Sequence, residues 1–242
     1  MKSLLVEQGL NLRRNMRNKA RYCPPFVEMA PIVPEGSVGN VSISHMVMED
    51  ERVQHEKLMS MMSFTSGYGR ETYDLQAGTY CKLINDGRKI IEMTDTPMER
   101  RTNLEFIRNA HGSVLIGGLG IGMIIVPLLT RESVTDITVV EINQDIIDLV
   151  WSHIDALPRT CDLNIVCADV MTWRPENGIK FDSLYFDIWP DISGDNWDDM
   201  KKISRSWWHW RRPKKENPDA FMSLWRKDDV KRDAYRDYNS YW

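Results

Sequence analysis

Cysteine is scarce in this chain of 242 residues: four occur, at Cys23, Cys81, Cys161 and Cys167, with no C-x-x-C pair and no cysteine–histidine spacing of the zinc type. Neither a metal centre nor a disulfide framework is indicated, and reduced thiols are the expectation. Long apolar runs are lacking too. The longest candidate, Val114 to Leu129, is broken by Gly117, Gly118, Gly120, Gly122 and Pro127, so it does not read as the roughly 20 apolar residues of a membrane span. The apolar run after Lys2 stops at Glu7, too short for the centre of a secretory signal, which makes cytoplasmic residence the default expectation. An excess of one charge is also missing. The formal net charge of -4 argues against attraction of the whole molecule to nucleic acid and leaves room only for a local basic patch. No G-x-x-x-x-G-K-[ST] loop is present, so nothing supports nucleoside triphosphate hydrolysis.

What is present reads as a folded domain with a modest extension. Hydrophobic residues make up 42% and charged residues 27%, values that let a chain of this length bury a core without staples. Arg13, Arg14, Arg17, Lys19 and Arg21 form a basic arm, and Pro24, Pro25, Pro31, Pro34 and Gly36 then mark a loop. Val38 to Met48 alternates like a strand, whereas Glu51 to Met62 carries apolar residues at helical spacing. Two strand-like runs, Tyr80 to Ile84 and Lys89 to Met93, flank Asn85-Asp86-Gly87-Arg88, which reads as a β-hairpin. Thr96 or Asp95 is placed to cap a helix that has Pro97 in its first turn and runs on to Ala110.

From Ser113 the rhythm becomes that of a parallel α/β sheet. Strands are expected at Val114 to Gly117, Asp136 to Glu141, Leu163 to Cys167 and Ser183 to Phe186, with helices at Ile121 to Arg131 and Gln144 to Ala156. Gly117, Gly118, Gly120 and Gly122 stand where the first strand hands over to a helix; they either close a tight turn or let backbone N–H groups approach a ligand. Glu141 ends the second strand, where an acid can accept from both ribose hydroxyls of an adenosine ligand, and Asp169 ends the third, suited to an adenine amino group. Ile142 and Val170 flank these acids. The glycines read G-x-G-x-G and not the G-x-G-x-x-G of dinucleotide enzymes. Asp187 ends the fourth strand and can orient or deprotonate an attacking amine or hydroxyl; capping the next helix is its other reading, and that of Asp191.

Taken together, VLIGGLGIGM, TVVEIN, CADV and FDSLYFDIWPD resemble the class I S-adenosylmethionine-dependent methyltransferases, and among them the spermidine-synthase-like proteins. The resemblance covers roughly residues 80 to 195. It implies a Rossmann-like α/β fold with a mainly parallel sheet, preceded by a small β-rich N-terminal region. It implies S-adenosylmethionine, or its decarboxylated form, as cofactor, with Gly118, Gly120 and Gly122 facing the methionine part, Glu141 the ribose and Asp169 the adenine. Asp187 would prepare the acceptor, and Trp189 would wall the sulfonium or simply join the core. Asp95 and Glu99 are candidates for an acceptor pocket. Aminopropyltransferases usually carry an aspartate inside the loop, where this chain has Gly120, so methyl transfer to a small-molecule acceptor is the first expectation and aminopropyl transfer to a diamine the alternative. No metal is required for either.

On this reading residues 1–37 are the basic arm and loop, 38–97 the β-rich region, 98–195 the cofactor-binding core and 196–242 an aromatic, charged helical segment. No strand is legible past Asp187, which leaves open a sheet that ends at its fourth strand; Asp195 to Trp210 and Asp219 to Tyr238 read as helices. Trp207, Trp208 and Trp210 beside Arg211 and Arg212 either pack a helix on the core or stack bases, so a third reading is a non-catalytic module that binds an adenosyl ligand or RNA. The hairpin allows a homodimer.

Overall fold

The computed structural model describes residues 26–62 and 75–240. The basic arm and Cys23 lie outside them. Strands β1 (Gly36–Val38), β2 (Val41–Met48), β3 (Gly78–Asn85) and β4 (Ile90–Thr94) form an antiparallel sheet in the order β1-β2-β3-β4. Period-two alternation puts Val41 and Ile43 of β2 on the buried face, where Ile43 pairs with Leu83 of β3. The expected hairpin is there. Its turn is closed by Asn85, whose side chain accepts from the Arg88 N–H at 3.0 Å and donates to Glu92 at 2.8 Å, while Lys89 takes the left-handed conformation. Helix α1 (Asp50–Met62) closes a small cluster of Met48, Val53 and Tyr80.

Helix α2 (Pro97–Asn109) starts where its proline predicts, but the expected cap is not made: Thr96 occupies the N-cap, and its hydroxyl meets that of Thr94 at 3.0 Å and not a helix N–H. Asp95 turns inward instead. Fully buried, it accepts from the Met29 N–H at 2.8 Å, the Cys81 N–H at 2.7 Å and the Arg100 guanidinium at 3.0 Å. Three donors, one of them charged, satisfy a buried carboxylate better than a single helix N–H. Asp95 thereby ties the loop at Met29, β3 and α2 together.

The second sheet is all parallel, in the order β7-β6-β5-β8-β9. Its strands are β5 (Gly112–Gly117), β6 (Val134–Glu141), β7 (Asp162–Cys167), β8 (Ser183–Phe186) and β9 (Phe221–Leu224). The fifth strand corrects the four-strand reading. The core therefore runs past residue 195, and the stretch read as one helix from Asp219 splits into β9 and helix α5 (Lys227–Ser240). Four residues, Phe-Met-Ser-Leu, carry little strand signal by themselves; their pairing with β8, from Ser183↔Phe221 to Phe186↔Leu224, makes them a strand.

A second correction concerns Ile121 to Arg131, which is a series of tight turns with a 3-10 turn at Val126–Leu128 and no α-helix. Gly122 has a positive φ of 78°, and Pro127 lacks an N–H and disfavours α geometry at the residue before it. Helices α3 (Gln144–Asp155) and α4 (Trp197–Trp207) match their expected places.

Alternation along the parallel strands builds two faces. Val114, Ile116, Val139 and Tyr185 face α2, α3, the glycine turns and the N-terminal sheet, in one cluster that includes Val41, Leu83 and Phe106. Leu115, Val140, Leu184 and Phe186 face α4 and α5, where Met200, Ile203, Trp207 and Val230 are buried. The result is a doubly wound, Rossmann-like layer arrangement with an antiparallel sheet on one side. Among the described residues no helix is long and apolar enough to cross a membrane.

Candidate functional site

The chain leaves β5 outward through β6 and β7, then returns to place β8 on the other side of β5, so the strand order reverses between β5 and β8. Open parallel sheets bind ligands in the crevice at that point, beyond the carboxyl ends of the strands. Gly118 follows β5 and Asp187 follows β8, and the two strand ends are in contact: the Asp187 N–H donates to the Gly117 carbonyl at 2.9 Å. Gly118 has φ 99°, and a Cβ there would overlap the Asp187 carbonyl oxygen. Only glycine fits.

A cavity of about 360 Å³ opens at this edge. Gly118, Gly120, Glu141, Asp169 and Asp187 all line it, from four strand ends. Glu141 is 6% exposed, and its two oxygens accept from the Leu119 and Asn143 N–H groups, each at 2.8 Å. Asn143 in turn caps α3 by accepting from the Asp145 N–H. A carboxylate offers about four acceptor directions, so beside the N–H groups of Leu119, Asn143 and Ile142 Glu141 keeps acceptor capacity for a ligand. Burial pushes the Glu141 pKa up, against the lowering effect of those N–H bonds, and the charge of Glu92 adds to the rise. Asp169 accepts from the Met171 N–H at 2.8 Å.

Asp187 stands apart in its electrostatics. Its accessible side is the cavity itself and it is otherwise packed in protein. Burial, followed by the charge of Glu99 on α2, holds its carboxyl well above the ordinary carboxylate range. Tyr185 is raised too, by burial first and then by Asp187 and Glu99; its hydroxyl donates to Asn103 at 2.5 Å. Burial and a like charge both penalise the ionised form of this carboxyl, which makes its carboxylate a stronger base than an ordinary aspartate.

Of the residues singled out from sequence, Gly118, Gly120, Glu141, Ile142, Asp169, Val170, Asp187, Trp189 and Glu99 line this one cavity. Gly117 and Gly122 shape the turn behind it: side chains there would overlap Phe186 and Ile154. Asp95 is committed to its buried network, and Asp191 is exposed and accepts from the Asn196 side chain at 3.1 Å. Neither lines the cavity. Sequence reasoning missed the opposite wall, made by Leu83, Asn85, Arg88, Glu92 and Met93 of the β3–β4 hairpin, together with Trp225 after β9. The hairpin was legible; the side over which it folds was not. Met93 sits over Gly120, where a Cβ would overlap its sulfur.

No protein-family model matches the chain, and no curated protein matches it. Solved structures do. One is the N-methyltransferase NodS from Bradyrhizobium japonicum WM9, with 13% identity, a TM-score of 0.41 and coverage of 54% of this chain and 68% of that one. The same protein in complex with S-adenosyl-L-homocysteine matches at 15% identity and a TM-score of 0.38, over 49% of this chain and 59% of that one. The O-methyltransferase TomG from Streptomyces achromogenes, in complex with SAM, matches at 13% identity and a TM-score of 0.32, over 69% and 64%. The chain spans 68%, 42% and 59% of the first three structures that it matches. These are likenesses of fold, at identities too low to carry a substrate across.

Proposed function

We propose that the chain is an S-adenosylmethionine-dependent transferase that moves a methyl group to a small-molecule acceptor. The observation that carries this reading is the convergence of Gly118, Glu141, Asp169 and Asp187, from four different strand ends, on a single cavity. The residues fit the cofactor. Glycines clear the floor, Glu141 lines the cavity with acceptor capacity left for ribose hydroxyls, and Asp169 stands one strand further on for an adenine amino group. The cavity's volume is within the roughly 300–1,000 Å³ of small-molecule sites. Five carboxyl groups and one guanidinium, Arg88, line it, an excess of acid that suits a cationic ligand.

When bound, S-adenosylmethionine supplies an electrophilic methyl carbon on a cationic sulfonium. Glu99 and Asp187 flank the acceptor side, with Trp225 and Trp189 as aromatic walls. Asp187 orients the acceptor's nucleophilic atom and takes the proton it sheds as the new bond to carbon forms. The hairpin supplies one wall of the cavity. Positioning supplies much of the acceleration in such a displacement, up to about 7–11 kcal/mol in favourable cases. Aminopropyl transfer ranks second, since Gly120 offers no carboxylate and the Met93 sulfur occupies the space above it.

Calorimetry with S-adenosylmethionine, its decarboxylated form, methylthioadenosine and NAD tests the reading. Binding of the intact donor is expected, and Glu141→Gln should weaken it about 10- to 100-fold, as loss of hydrogen bonds to a charged group does. Preference for the decarboxylated form would move the reaction to aminopropyl transfer, and no binding of any adenosyl ligand would overturn the proposal.

A further inference from the structure

The methyl-transfer reading leaves the aromatic and basic run after α4 without a role. From Arg205 through Lys215 the chain carries Arg205, Arg211, Arg212, Lys214 and Lys215 and no acid, within a molecule of net charge -4. Its three clustered tryptophans have separate fates. Trp207 is wholly buried, donates to the Val170 carbonyl at 3.1 Å and packs against Phe186 and Trp173. Trp210 is half-buried beside Lys180, whose ammonium lies 5.6 Å from its ring centre. Trp208 is 55% exposed, with the Arg211 guanidinium 4.0 Å from its ring centre.

Spacing turns these residues into a surface. Trp208–Trp210 is a 3-10 turn that continues α4, and residues three apart in such a turn line up on one side. Arg205 precedes Trp208 by three residues in the last turn of α4, and Arg211, the extended residue that follows the 3-10 turn, brings its guanidinium against the exposed indole. Arg212 is spent on Asp182 at 2.7 Å, whereas neither Arg205 nor Arg211 forms an ion pair among the described residues. Burying a tryptophan on the core needs no such flanking cations; an anionic strand with flat bases does.

We propose that this edge binds single-stranded nucleic acid, one base stacking on Trp208 while Arg205 and Arg211 contact the flanking phosphates. Stacking on an aromatic side chain in a basic setting is sequence-tolerant, because every base has a π-face. Arg211 bridges to Phe181, ahead of β8, whereas Asp187 follows its end. Six residues of extended chain separate the two positions by roughly 20 Å. Arg211 therefore lies at the end of β8 away from Asp187, and the exposed Trp208 is not among the residues that line the cavity. Donor binding is independent of the strand.

Fluorescence anisotropy of labelled oligo-dT and oligo-rU, each about 20 nucleotides long, with the full chain tests this. Neutralising the two phosphates that Arg205 and Arg211 contact should cost about 7-fold in affinity between about 50 mM and 200 mM salt. Trp208→Ala should weaken binding about 10-fold or more and Trp208→Phe should restore it, while Arg211→Gln should weaken it and flatten the salt dependence. Preference for oligo-rU would identify RNA as the ligand, and equal binding would identify single strands in general. Trp208→Ala should melt like the parent chain and bind S-adenosylmethionine equally, which separates this proposal from the one about the cavity. The proposal fails if neither oligonucleotide binds at low salt. It fails equally if Trp208→Ala binds like the parent, or if duplex DNA, heparin or poly-glutamate compete as well as the single strand.

Discussion

Single residues that line the cavity carry a cost in stability. Asp187 is the clearest. Burial and then the charge of Glu99 raise its pKa in the folded chain, so the folded state binds this proton more tightly than the unfolded state does. Stability is lost as pH rises from the ordinary aspartate value through the raised one. Asp187→Asn removes the ionisation, and the variant is expected to melt at a higher temperature than the parent at neutral pH. The difference should vanish below the ordinary aspartate pKa, where both states are protonated. Turnover should fall about 10²- to 10⁴-fold, the scale of a lost general base; a variant with undiminished turnover would remove Asp187 from the chemistry. Gly120 makes a complementary case. Its φ is 51° and a Cβ would meet Met93, so Gly120→Ala should cost about 1–2 kcal/mol in backbone strain plus the overlap. Adding Met93→Ala should recover the second part only, which a double-mutant cycle in urea measures. Both side-chain types were legible in the sequence at these positions. The raised pKa and the Met93 contact were not, because each depends on residues from α2 or β4 that only folding brings near.

Between elements, the parallel sheet is pinned at the edge away from the cavity. Asp182, just before β8, accepts from Arg212 and Asn217, each at 2.7 Å, and from the Ser113 N–H of β5 at 3.0 Å. It thus joins β5, β8 and the loop that leads into β9. Burial pulls its pKa upward, yet the hydrogen bonds from Arg212, Asn217 and Ser113 outweigh that and hold it below the ordinary value. This stabilisation is present above the unfolded pKa and is lost as pH falls through the folded one. Asp182→Asn is expected to lower the unfolding free energy by about 2 kcal/mol at neutral pH, with the gap closing in acid; denaturant titrations across pH measure it. The sequence showed no sign of this clamp, since Asp182 reads as one more polar residue before a strand. The same holds for β9. Four residues cannot announce themselves as a strand, and Asp182 and β8 together make them one.

Among the described residues the antiparallel sheet and the α/β part share one core cluster. Val41 and Leu83 of the antiparallel sheet pack in the same cluster as Phe106, Ile116 and Ile147 of the α/β part, so neither sheet buries its inner face without the other. A single unfolding transition is therefore expected. Tryptophan emission reports only Trp151 and beyond, while hydrogen exchange can follow β2 and β3, and the two should share one midpoint; separate midpoints would divide the molecule into two units. At this scale the sequence by itself determined the parallel α/β order, the glycine turn, the strand-end acids Glu141, Asp169 and Asp187, and the hairpin. Each of these is local, written in periodicity, turn residues or position along a strand. The tertiary structure alone decided that the hairpin walls the cavity, that Asp95 serves the interior and not a helix cap, that the sheet has a fifth strand, and that Trp207 is core while Trp208 faces outward. Those outcomes depend on which distant segments meet, and hydrophobic burial and hydrogen-bond satisfaction settle that over the whole chain at once.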